Sequence, residues 1–272
     1  MRLSFLGPRG TNGEEAALRY APDAELVPLP SHALVAAAVD DGRADAGVLA
    51  IENLITGSVI ETLDVLIHET DLQIEAEIVV PIVHNLIVKP GTPLSAITVV
   101  FSHPQALGQC RKFLEVNVPQ AKLESALSTA QAVELVMARA GDSAAVAPKR
   151  AADLFGGQVA VGDVGDAPNN VTRFVILGHG KQPPTGRDRT SIAFWFRDDR
   201  AGSLASVLNE FARRGINCTK IESRPTRAHF REYIFLVDFD AHQDEAAGAE
   251  ALAAVRSLCS AVKVFGSFPR SA

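Results

Sequence analysis

Between Met1 and about Leu177, short apolar runs alternate with segments whose apolar residues recur every three or four positions. RLSFLG precedes EEAALRY, AGVLAI precedes SVIETLDVLIHE, ITVVFS precedes PQALGQCRKFLEV, and SAAVAP precedes KRAADLFG. A repeated strand-then-helix order predicts an α/β layer structure with largely parallel sheets. IEAEIVVPIVHNLIVKPG interrupts that order as a long β-type run with no helix, and is expected to cross between two lobes. HGKQPPTGRDR, rich in Gly, Pro and charge, reads as a linker. Beyond it come strand TSIAFWF, helix GSLASVLNEFARRG, strands INCTKIES and REYIFLVDF, helix DEAAGAEALAAVRSLC and strand VKVFGSF. A βαββαβ series of about 80 residues is the ferredoxin-like pattern.

Composition narrows the class. The 272 residues are 47% hydrophobic and 21% charged, as in a soluble globular protein of about two domains. No apolar run reaches the roughly 18 residues of a membrane span, and Met1 leads into a strand pattern rather than a signal segment, so a cytoplasmic protein without membrane contact is expected. A net charge of −6 with no basic run argues against nucleic acid. Cys110, Cys218 and Cys259 are distant from one another and lie in periodic apolar segments, which fits reduced core thiols. The seven histidines lack the spacing of a transition-metal site, so no metal is expected.

Candidate chemistry gathers at the junctions. Thr11 with Glu14, Ser58 with Glu61, Ser102 with Gln105 and Ser128 with Gln131 each have the spacing of a capping box. Helix starts that follow strands in α/β sheets collect at one edge, where free N–H groups favour anions, so the same residues are candidate carboxylate cradles. In SHPQALGQC, Leu107, Cys110 and Leu114 form a buried stripe while Gln105, Gln109 and Lys112 share another face, suited either to a polar ligand or to solvent. Glu52 and Asn53 directly follow the apolar strand AGVLAI, a usual position for function and also for a turn. Thr172 enters a strand, where capping cannot explain it, although Thr is itself a good strand former. In a regular strand Thr172 and Arg173 point to opposite faces, so both reach one cleft only if the strand starts or bends there.

LGPRGT, IEN followed by GSV, SHPQALGQC, STAQA, AAVAPKRAADLFG, NNVTRF, RTSIAF, AGSL and INCTKIESRP, in this order, resemble the prephenate dehydratase family over almost the whole chain. The resemblance implies a two-lobed, periplasmic-binding-protein-like (type II) catalytic domain over 1–180, with lobes of about 1–78 plus 172–180 and of 79–171. A linker at 181–188 and a ferredoxin-like ACT regulatory domain at 189–268 would follow. It implies a homodimer or homotetramer, and conversion of prephenate to phenylpyruvate with loss of carbon dioxide and water, without a cofactor. Thr172 would then assist the departing hydroxyl, and Arg173 would clamp a carboxylate. By family position Glu52, Asn53 and Gln109 join Thr172 as catalytic groups, and Ser102, Thr11, Ser128 and Phe174 bind substrate.

In the tail, Gly202, Ser203, Leu204, Asn217, Glu222, Ser223, Arg224 and Pro225 match the motifs that bind L-phenylalanine as allosteric effector in this family. The chain departs from the family pattern at Asn12, Gly13, Ala50, Leu54, Thr56, Ala201 and Ala241. Arogenate dehydratase is an alternative that these motifs do not separate. A solute-binding or amino-acid sensor protein is a more distant one, since a binder has no need of a Thr172-Arg173 pair.

Overall fold

The computed structural model describes residues 1–197, 200–226 and 232–271. Contacts divide the chain into one unit of Met1–Thr62 with Ile78–Phe174 and another of Leu63–Glu77 with Val175–Ala272. The expected alternation opens the chain as β1 (Arg2–Leu6), α1 (Asn12–Tyr20), β2 (Glu25–Leu29), α2 (His32–Asp40), β3 (Ala46–Asn53), β4 (Gly57–Ser58) and α3 (Ile60–His68). The long β-type run becomes β5 (Gln73–Pro81) and β6 (Asn85–Val88). Then follow β7 (Val99–Ser102), α4 (Pro104–Gln109), α5 (Arg111–Asn117), β8 (Lys122–Ser125), α6 (Thr129–Ala138), β9 (Ser143–Ala147), α7 (Lys149–Phe155), β10 (Gln158–Val161) and β11 (Val171–Gly178).

These strands build two sheets, of order β2-β1-β3-β11-β5 with β4 beside β3, and of order β10-β6-β9-β7-β8. β1 pairs in parallel with β2 and β3, and β7 in parallel with β8 and β9. The parallel expectation fails at β6, which pairs antiparallel with β9 and β10. β7 and β9 are buried at every position, as strands covered on both faces are. The alanines of SAAVA let α6 and α7 approach closely, in a core of Ala130, Ala132, Val133, Ala145, Ala147, Ala151 and Ala152.

PQALGQCRKFLEV, expected as one helix, is two. Cys110 leaves helical geometry (φ −119°, ψ 14°), and Asp166 accounts for the break. Its N–H donates to the Gln109 carbonyl at 2.7 Å, and its carboxylate accepts from the N–H groups of Lys112 and Phe113, which starts α5 afresh. Leu107, Cys110 and Leu114 still point into one core, and burial pushes the Cys110 thiol up to about 12.

The second unit carries β12 (Asp188–Trp195), α8 (Ser203–Arg213), β13 (Cys218–Pro225), β14 (Tyr233–Phe239), α9 (Ala246–Leu258) and β15 (Ala261–Pro269). Its sheet has the order β13-β14-β12-β15 with antiparallel neighbours, around a core that includes Phe194, Phe211, Phe235 and Phe239. Arg231, which opens the expected strand REYIFLVDF, lies outside the described residues. Among the described residues no helix is long and apolar enough to cross a membrane, and no group of three or more His, Cys, Asp or Glu could hold a metal ion.

Candidate active site

β3 runs buried until it delivers Glu52 and Asn53 at its end. The chain turns back there into β4, with Glu52 opposite Ser58 and Asn53 opposite Gly57. In that turn the Asn53 Oδ1 accepts from the backbone N–H groups of Ile55 and Thr56, each at 3.1 Å, and from the Thr56 hydroxyl at 3.1 Å. Backbone donors leave no choice about which end of the amide is oxygen. Nδ2 therefore faces the other way, and donates to the Asn170 Oδ1 at 2.7 Å, the Thr172 Oγ1 at 2.9 Å and the Val171 carbonyl at 3.1 Å.

β11 brings the Thr-Arg-Phe stretch beside this turn, held by the Leu54 N–H on the Val171 carbonyl. The two faces of the strand separate the three side chains. Thr172 and Phe174 line a cleft of about 510 Å³, whereas Arg173 does not. Arg173 Nη2 instead pairs with Glu52 Oε2 at 2.9 Å, and Glu52 is likewise absent from the lining. The expected carboxylate clamp at Arg173 thus faces a carboxylate of the chain itself.

The opposite wall comes from α4, which contributes Gln105, Ala106 and Gln109. Gln105 Nε2 reaches across to the Thr56 Oγ1 at 2.8 Å. Gln109 Oε1 accepts from the Asn170 Nδ2 at 3.1 Å and meets the His84 Nε2 at 2.7 Å. Ser102 is fully buried, and its hydroxyl donates to the Val146 carbonyl at 2.5 Å, so it supports the wall from behind. His103 takes the capping position that Ser102 was expected to hold, with Nδ1 accepting from the Gln105 N–H.

The starts of α1 and α6 line the cleft, together with those of α2, α3 and α4. Ser128 caps α6 by accepting from the Gln131 N–H at 3.0 Å, and Gln131 Oε1 reaches back one residue beyond the cap, accepting from the Leu127 N–H at 2.8 Å. Thr11 stands at the α1 cap position, but its hydroxyl donates to the Pro8 carbonyl at 2.9 Å, and Glu14 alone closes the turn by accepting from the Gly10 N–H. Ser58 lies in β4, ahead of α3, and also lines the cleft.

Of the sequence-derived residues, the cleft gathers Thr172, Asn53, Gln109, Phe174, Thr11 and Ser128, and leaves Glu52, Arg173 and Ser102 outside its lining. His32, His84, His103 and Asn170 escaped the sequence reading, and Thr56 stood out only as a departure from the family pattern. Single histidines in VVPIVHNLIV and LPSHAL carry no periodic signal, whereas the Asn-Asn turn was visible without its purpose. Asn169 takes the left-handed conformation (φ 60°), and Asn170 beside it makes the two amide contacts described above. Burial lowers the pKa of both His32 and His84, which keeps them neutral near pH 7. Among the described residues no Lys or Arg lines the cleft, so acid groups there would meet N–H, O–H and imidazole donors, with Glu61 as a lining carboxylate.

In the second unit, Trp195 of β12 and Arg224 of β13 both register with Ile234 of β14, from either side. The Glu222-Ser223-Arg224-Pro225 stretch therefore ends at the same end of the sheet from which the chain leads to Gly202-Ser203-Leu204. Gly202 adopts φ 93° ahead of α8, and the Ser203 Oγ accepts from the Arg200 N–H at 3.0 Å. Leu204 packs on the core, and the Asn217 carbonyl accepts from the Asp240 N–H. Glu222 lies 3.7 Å from the Lys220 Nζ, and Arg224 Nη1 pairs with Asp64 Oδ1 at 2.8 Å.

A cleft of hydroxyls, amides, imidazoles and the Glu61 carboxylate, carried on α/β sheets and followed by an antiparallel βαββαβ unit, defines a small-molecule enzyme with an appended regulatory-type domain. Residues 3–182 match the family model for prephenate dehydratase, and residues 190–257 that for the ACT domain. The chain belongs to the prephenate dehydratase family. The prephenate dehydratase of Mycobacterium tuberculosis strain H37Rv is 40% identical over 282 residues, covering 99% of this chain and 87% of the relative. The structure of prephenate dehydratase from Arthrobacter aurescens in complex with L-Phe superposes with a TM-score of 0.92 at 34% identity, covering 99% of this chain and 90% of that one. A structure described as a novel type of quorum quenching acylase has a TM-score of 0.89 at 29% identity, covering 100% and 98%. The fold is accordingly a two-lobed, type II periplasmic-binding-protein-like catalytic domain followed by a ferredoxin-like ACT domain.

Proposed function

We propose that the chain converts prephenate to phenylpyruvate in this cleft, with Thr172 assisting the departing hydroxyl. The observation that carries this reading is the state of the Thr172 hydroxyl. Its oxygen accepts from the Asn53 Nδ2, and its own proton goes to no described group, so that proton is available to a molecule in the cleft. Loss of the ring carboxylate as carbon dioxide pushes an electron pair into the ring, the ring becomes aromatic, and the carbon–oxygen bond to the hydroxyl breaks. One proton is taken up and water leaves. Threonine is far too weak an acid to supply that proton unaided, so Thr172 stabilises the oxygen as charge develops or passes on a proton from elsewhere.

The remaining roles follow from placement. The Gln109 amide nitrogen is left to donate into the cleft because its oxygen already has two partners. Substrate carboxylates are assigned to the starts of α1 and α6, beside Thr11 and Ser128, where helix dipoles favour negative charge. Phe174 supplies an apolar surface for the ring. Glu52 and Arg173 act as a pair that fixes the ends of β3 and β11, and Ser102 ties the end of β7 to β9 ahead of α4.

In the second unit, Gly202, Ser203, Leu204, Asn217, Glu222, Ser223, Arg224 and Pro225 are assigned to an L-phenylalanine site that controls the reaction. β13 is an edge strand with no fully buried residue, and Ile221 on it is 49% exposed, which supports pairing with a second copy in a homodimer or homotetramer. The catalytic and regulatory domains are placed at 1–180 and 189–268, in a cytoplasmic protein.

Purified protein mixed separately with prephenate and with arogenate tests the reading through the absorbance of the aromatic product. Phenylpyruvate from prephenate is expected, with turnover suppressed by millimolar phenylalanine. No product from prephenate would overturn the assignment, and product from arogenate alone would move it to arogenate dehydratase.

A further inference from the structure

His84 lies in the Ile82–His84 connection between β5 and β6, and as a residue it is 4% exposed on the cleft wall. Its Nε2 meets the Gln109 Oε1 at 2.7 Å, and its Nδ1 is buried without a hydrogen-bond partner. A buried unpaired ring nitrogen costs far less as a lone pair than as an N–H deprived of an acceptor.

The protonation of that ring is dictated from the other end of a chain of amides. Backbone N–H groups of Ile55 and Thr56 fix the Asn53 oxygen, so Asn53 donates to the Asn170 Oδ1. Asn170 then has its nitrogen toward Gln109, and donates to the Gln109 Oε1. An oxygen at that place requires a donor on the imidazole, so Nε2 carries the proton and Nδ1 the lone pair. The same step turns the Gln109 nitrogen away from His84 and into the cleft.

We propose that His84, as the neutral Nε2–H tautomer, is a positioning residue that acts through Gln109, holding the Gln109 amide nitrogen as a donor to the substrate. This rests on the reading of the cleft as the site of prephenate dehydration. His84 touches no reacting atom; it fixes which end of the Gln109 amide the substrate meets. Without it, Gln109 loses one of the two donors that keep its oxygen inward, and the amide can rotate.

The test is a double-mutant cycle with a spectroscopic control. His84→Leu removes the donor and is expected to lower kcat about 10- to 100-fold, and His84→Gln, whose amide nitrogen can donate from a similar place, to recover much of that loss. His84→Leu combined with Gln109→Leu should turn over no more slowly than Gln109→Leu alone, because the histidine acts only through that amide. Multiplying losses in the double variant, or an equal defect in His84→Gln, would overturn the proposal. Nitrogen-15 NMR of the wild-type histidines covers the case in which His84→Leu does not fold. Neutral His84 with the proton on Nε2 at pH 7 supports the proposal, and Nδ1–H or an imidazolium refutes it. Thr172→Val in the same assay separates the two layers, since full turnover there would overturn the dehydration reading whatever His84 does.

Discussion

Asn53 decides more of this site than its single amide would indicate. Its oxygen is claimed by the turn that follows β3, and its nitrogen is thereby committed to Asn170 and Thr172. Replacing it by aspartate keeps the acceptor of the turn and removes the donor. Thr172 would then give its proton to the new carboxylate, and the cleft would lose it. Asn53→Asp is expected to lower kcat by about 10² or more while unfolding at nearly the wild-type temperature; unchanged turnover would show that the Thr172 proton is not set by this amide. Sequence made this residue visible, because a polar pair at the end of an apolar strand stands out. It did not show Asn170 or His84 as partners, since residues 53, 84, 109 and 170 meet only once two sheets and three connections are in place.

At the scale of elements, the alternation of strand and helix was legible because each buried run is bounded by turn residues and followed by a 3.6-residue period. One exception has its cause far along the chain. The break between α4 and α5 depends on the carboxylate of Asp166, more than fifty residues away in the chain, which no periodicity registers. The opposite placement of Thr172 and Arg173 follows from strand geometry alone, and the Glu52 ion pair completes it. α3 carries Glu61 at the cleft and Asp64 opposite Arg224 of the Glu222–Pro225 stretch. Asp64→Asn removes the charge that Arg224 meets and leaves the cleft residues in place. Uninhibited kcat should stay within about twofold, and the phenylalanine concentration for half-inhibition should move by about fivefold or more. An unchanged inhibition curve would take Arg224 and Asp64 out of the regulatory path.

For the molecule as a whole, the domain order was readable, whereas the ties between α1 and α7 were not. Glu14 of α1 is 2% exposed and pairs with Arg150 of α7 at 2.6 Å, with Arg9 nearby. Burial works against its charge, but hydrogen bonds from Arg150 and the Gly10 N–H, with the charges of Arg150 and Arg9, hold its pKa below the ordinary 4.5. A depressed folded-state pKa means that the pair stabilises the fold fully above about pH 4.5, and that this contribution fades as pH falls toward the lowered value. Glu14→Gln should cost about 1–3 kcal/mol at pH 7, less than a fully enclosed pair because Arg150 retains access to water. The difference between variant and wild type should shrink below pH 4.5. Equal unfolding temperatures at pH 7 would show that the pair contributes nothing.

The central claim is that a hydroxyl at position 172, presented by Asn53, eases the departing oxygen out of a ring that is becoming aromatic. Turnover of prephenate by Thr172→Val and Thr172→Ser, followed through phenylpyruvate absorbance, tests it most directly. The valine variant should lose about 10² to 10⁴ in kcat, or about 3–5 kcal/mol of barrier, and the serine variant should stay within about tenfold of wild type, with both folded. A valine variant that turns over within about threefold of wild type would contradict it.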